Sequence, residues 1–121
     1  MKSSLLIALL LPLFVLSGVL LAAETPDQTR AIDALITHVE KLDEATFIRN
    51  GREYTAKNAA KFLRAKRKSK SDEISTATDF IEKAASYSGT TGKPYVIRFK
   101  DGKEMPHGEY LKTVLKQVSP S

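Results

Sequence analysis

Apolar residues enter this chain in two patterns. Leu5 to Leu16 is an almost unbroken apolar run, whereas from Ile32 onward apolar positions recur at helical or alternating spacing. Ile32, Leu35, Ile36, Val39 and Leu42 share one face of a helix. Thr25-Pro26 supplies its N-cap and first-turn proline, with Gln28 placed to close a capping box. Thr46–Arg49 and Arg52–Thr55 are short extended segments on either side of Asn50-Gly51. That dipeptide signals a type I′ hairpin turn, which requires positive φ at both central residues.

Thr55 caps a second helix, predicted to run to about Ala65 with Ala56, Ala59, Ala60 and Leu63 inward. Lys66 and Arg67 would fall on the same inward face if it continued. The helix is therefore expected to end there, leaving Lys66 to Ser71 as a basic connector. A third helix, capped near Ser75 or Thr76, carries Ala77, Phe80, Ile81, Ala84 and Tyr87. After a Gly-containing loop from Ser88 to Pro94, Tyr95–Phe99 alternates as a half-buried strand with Tyr95, Ile97 and Phe99 inward. Asp101-Gly102 turns the chain, and Pro106 is expected to open a last helix bearing Tyr110, Leu111, Val114, Leu115 and Val118. The order α-β-β-α-α-β-α predicts a small single α+β domain, with a short antiparallel sheet covered by helices.

The N-terminal run changes the compartment. Lys2, the apolar stretch and the small residues Ala22-Ala23 before Glu24 follow the order of an export signal over residues 1–23. Leu5 to Ala23 is also just long enough to span a bilayer as a retained anchor. Pro12, Ser17 and Gly18 inside the run, and the single basic residue before it, favour cleavage. Residues 24–121 then form the domain, and a periplasmic location is expected. The sequence has no cysteine, which rules out disulfides, thiol catalysis and cysteine-held zinc. A domain of this size is then held by packing alone.

The net charge of +5 is a modest bias toward anionic partners. Its distribution is more informative. Lys57, Lys61, Arg64 and Lys68 lie four, three and four residues apart, along one side of the second helix. Arg49 and Arg52 flank the hairpin turn. These six residues are the candidate site for an anionic envelope component or an acidic protein. No aromatic residues interleave the stripe, so nucleic acid is not an expected partner.

Other constellations are weaker. His38 and His107 are too few for a zinc site or a triad, and no Gly-x-Ser-x-Gly elbow is present. Asp43-Glu44 and Asp72-Glu73 are sequence neighbours that do not converge as paired catalytic acids. Gly89-Thr90-Thr91-Gly92-Lys93 fails as a phosphate-binding loop, with Tyr87 in place of the first glycine and Pro94 in place of the Ser or Thr. It reads as a helix cap and strand entry, and Gly92, Lys93 and Tyr95 mark a candidate small pocket. No catalytic residue, metal or cofactor is assigned.

Several short motifs nevertheless keep a familiar order: Phe47-Ile48-Arg49-Asn50-Gly51, Ala59-Ala60 to Phe62-Leu63-Arg64, Ala77-Thr78-Asp79-Phe80-Ile81, and Thr91-Gly92-Lys93-Pro94-Tyr95. Through them residues 24–118 resemble the YfeK-like family of small exported bacterial proteins, a domain of unknown function. The resemblance implies a single periplasmic domain in a Gram-negative bacterium and transfers no catalytic residue. The expected function is a non-enzymatic binding or accessory module with a basic face. The alternative is a small envelope hydrolase, with His107 or a Ser/Asp pair assembled only in the fold.

Overall fold

The computed structural model describes residues 23–118, so the expected export signal lies outside the described residues except for Ala23. Helix α1 spans Pro26–Glu40, and its N-cap Thr25 accepts the Gln28 N–H at 3.3 Å. The Gln28 side chain does not close a capping box. Its Oε1 accepts the Ala77 N–H at 2.7 Å, fastening α1 to the start of a later helix.

Strands β1 (Thr46–Arg49) and β2 (Arg52–Tyr54) form the expected hairpin, with φ of 53° at Asn50 and 79° at Gly51. Helix α2 covers Ala56–Ser69, capped by Thr55, and continues past the stop expected at Ala65. Its continuation is possible because both cations find partners. Arg67 pairs with Glu24 at 2.7 Å and Asp33 at 2.5 Å, and Lys66 donates to the Tyr87 carbonyl and the Tyr95 hydroxyl, each at 2.7 Å. All four partners are remote in sequence, which is why helical periodicity alone argued for an earlier end.

A 3₁₀ turn at Ser71–Glu73 leads to α3 (Ala77–Ala84), where Thr76 and Asp79 form a reciprocal capping box. The helix ends before Tyr87, which leaves the apolar stripe expected for it. Tyr87 is 56% exposed and bridges to Pro94. Strand β3 is Val96–Arg98, shorter than the alternation predicted. A further strand absent from that prediction, β4 (Glu104–Pro106), pairs with it, and α4 (His107–Val118) follows directly. Pro106 therefore closes a strand, and His107 opens the helix.

The sheet is antiparallel in the order β2-β1-β3-β4. Register aligns Phe47 with Tyr54 and Ile97, and Ile97 with Met105, on one face. Helices α2 and α4 contact the sheet, and α1 packs on α2 and α4. Ile32, Leu35, Ile36, Phe80, Ile81, Ile97 and Leu111 are fully or almost fully buried in the resulting core. On the opposite face Arg98 pairs with Glu53 and Glu104, each at 2.8 Å. The α+β class is as the sequence predicts, and the order of elements matches it with β4 added.

Candidate functional site

Helix α2 presents three different sides, separated by its 100° turn per residue. Ala56, Ala60 and Leu63 are buried, with Arg67 on the same side reaching the α1 acids. Asn58, Ala59, Phe62 and Lys66 form a second side, turned toward the hairpin and Tyr95. Lys57, Lys61, Arg64 and Lys68 occupy the third, exposed side.

On that exposed side Arg64 is engaged by Glu40 of α1 at 2.8 Å. Arg67 and Lys70 are likewise paired within the protein, to Glu24 and Asp33 and to Glu73. Among the described residues, Lys57, Lys61 and Lys68 make no ion pair. They lie within about 40° of one another around the helix and span about 16 Å along it.

The hairpin arginines do not join this row. Arg49 ends β1 on the sheet face that carries Phe47, so it lies on the second side of α2, away from the lysine row. Its guanidinium stacks 4.5 Å from the Phe62 ring centroid. Arg52 faces Arg49 across the turn and is exposed. The six cations therefore divide into the α2 surface row, the exposed Arg52 at the turn, and a semi-buried position at Arg49.

That semi-buried position borders a pocket of about 300 Å³, between the hairpin and α2. Phe47, Tyr54, Phe62, Leu63, Tyr95 and His107 supply most of its wall. The volume is at the small end of ligand sites, which run from about 300 to 1,000 Å³. Tyr95 was expected at a pocket and lines this one. Gly92 and Lys93 are exposed in the preceding loop and do not line it. That loop is tied to the hairpin instead: Asn50 donates to Ser88 Oγ at 3.0 Å and accepts from Thr91 Oγ1 at 2.5 Å.

Burial raises the Tyr95 pKa, while the nearby positive charge of Arg49 opposes the shift. Lys66, beside Tyr95, is pushed down to about 8, chiefly by burial and further by the charges of Lys70 and Arg49. His107 is 3% exposed, and burial pushes its imidazole down to about 4. Its Nδ1 lies 2.9 Å from the Ala85 carbonyl, and its ring meets Phe47 edge-on. Two buried polar atoms of pocket residues have no partner among the described residues: Arg49 Nε and His107 Nε2. Phe62 and His107 escaped the sequence reading of this site because they come from α2 and α4, and only packing brings them together.

Among the described residues, no cluster of three His, Cys, Asp or Glu side chains could hold a metal ion. No helix among them is long and apolar enough to cross a membrane.

Residues 26–119 match a family of unknown function, DUF5329. The chain is similar to the uncharacterized protein YfeK of Salmonella typhimurium, 39% identical over 64 residues, which is 53% of this chain and 53% of that protein. The match thus spans about half the length of that curated relative. No solved structure matches.

Proposed function

We infer, for a chain that belongs to the DUF5329 family of unknown function, that the protein is a non-enzymatic binding module of the bacterial envelope that docks on an anionic lipid surface. The observation that carries this reading is the row Lys57, Lys61 and Lys68, exposed and unpaired among the described residues, beside α2 cations already engaged within the protein. A Lys near a charged membrane contributes about 1 kcal/mol, so three acting together favour the bound state by about a hundredfold at low salt. The export signal read at residues 1–23 supports an envelope address.

The hydrolase alternative draws less support. Among the described residues, His107 has the Ala85 carbonyl as its hydrogen-bond partner, and neither a carboxylate nor a hydroxyl is bonded to its other nitrogen.

The test is flotation with vesicles that contain or lack anionic lipid, at low and high salt. The protein should float with anionic vesicles at low salt only. Replacing Lys57, Lys61 and Lys68 together by Glu should abolish flotation while leaving the circular dichroism unchanged. Equal flotation with neutral vesicles, or an unaffected triple variant, overturns the reading. Binding to an acidic protein without vesicle binding overturns the lipid assignment.

A further inference from the structure

The pocket on the other side of α2 carries a separate inference, independent of the lysine row. Its walls are largely aromatic and aliphatic, yet two buried nitrogens on its lining residues lack partners among the described residues. A buried donor or acceptor left unmet is costly, because it has given up water for nothing. Their chemistry is complementary and legible.

The Ala85 carbonyl can only accept, so His107 Nδ1 carries the hydrogen and donates to it at 2.9 Å. Nε2 is then a bare lone pair in the neutral ring, an acceptor that wants a donor. Arg49 presents the opposite need, since its Nε–H is a donor on a permanent cation. The guanidinium stacks on Phe62, and no acid among the described residues pairs with it. Lys66 does not compete, because its ammonium is already taken by Tyr87 and Tyr95. The two nitrogens are also spaced apart. Arg49 and Phe47 are two residues apart on one face of β1, about 7 Å along the strand, and the His107 ring rests against Phe47.

We propose that this pocket binds a small hydroxylated carboxylic acid with an apolar body, its carboxylate on the Arg49 guanidinium, its hydroxyl donating to His107 Nε2, and its apolar part among Phe47, Tyr54, Phe62 and Leu63. One guanidinium matches one carboxylate in charge and geometry. The hydroxyl provides the donor that a neutral imidazole lacks. A simple acid leaves His107 unmet, and a simple alcohol leaves Arg49 unmet.

Calorimetric titration of the purified protein with β-hydroxydecanoate, decanoate and decanol tests this assignment. The hydroxy acid should bind about tenfold more tightly than either single-function probe, as expected for one buried hydrogen bond satisfied or lost. Ala59→Phe, which adds a ring to the α2 wall of the pocket, should abolish binding of all three. Arg49→Gln should bring the hydroxy acid down to the affinity of decanol. In a histidine-labelled sample, the His107 Nε2 resonance should move with β-hydroxydecanoate and stay in place with decanoate. That spectral readout does not depend on a His107 variant folding. Equal affinity for the two acids with a static Nε2 resonance overturns the hydroxyl assignment. Failure of all three probes to bind, or binding indifferent to Ala59→Phe, overturns the site. Neither result bears on vesicle flotation, which uses the opposite side of the helix.

Discussion

The Lys66 ammonium donates to the Tyr95 hydroxyl at 2.7 Å, with the Tyr95 ring centroid 4.8 Å from the same nitrogen. This contact ties the C-terminal half of α2 to the entry of β3 and lets a cation remain half-buried. Tyr95→Phe keeps the ring and removes the hydroxyl, leaving Lys66 with the Tyr87 carbonyl alone. A loss of about 1 kcal/mol is expected in urea denaturation, the net value of one such hydrogen bond. A variant as stable as the parent would show that water replaces the hydroxyl without cost.

Stability should fall with acid because of His107. Its folded pKa of about 4 lies below the ordinary value of 6.5, so the unfolded chain binds a proton that the native ring refuses. The contribution is complete above pH 6.5 and is lost as pH falls from 6.5 toward 4, by an amount on the order of 3 kcal/mol. His38, lowered by burial, acts in the same direction. Histidine-ring NMR across the acid range checks the assignment directly. A His107 midpoint near 6.5 would refute it.

Gly108 is the position where α4 passes over the turn after α3. A Cβ there would land on Ser86 Oγ, with Ser86 Cβ 3.1 Å away. The hydroxyl cannot rotate freely, since it donates to the Ile81 carbonyl at 2.6 Å. Ala improves helix propensity by about 1 kcal/mol. Overpacking costs about 1–3 kcal/mol, and the lost hydrogen bond adds to it. Gly108→Ala should therefore destabilise by about 1–2 kcal/mol, and Ser86→Gly in the same chain should recover most of the loss. The thermal midpoints of the two single variants and the double variant close the cycle.

Much of the frame is legible along the chain because it rests on local rules. The spacing of Ile32, Leu35, Ile36 and Val39 predicts α1, and Asn50-Gly51 predicts the hairpin whose positive φ values the structure shows. What escapes local reading is what distant residues decide. Burying Lys66 and Arg67 is unfavourable until Glu24, Asp33, Tyr87 and Tyr95 arrive from other elements. Glu104-Met105-Pro106 has no alternation to mark it, and it becomes a strand because Ile97 presents a place for Met105. At the candidate site, the lysine row follows from helical spacing. The separation of Arg49 from that row follows from strand alternation. The pocket requires α2, the hairpin and α4 to be assembled together.

The termination of β4 at Pro106 also governs how copies of this protein meet one another. Both outer strands of the sheet are three residues long. One ends in a residue with no N–H to offer, and the other carries Arg52 and Glu53. An incoming strand finds too few groups to bond and charged side chains in its path. The folded protein is thereby a poor template for fibril growth, and concentrated solutions should remain free of strand-exchanged aggregates.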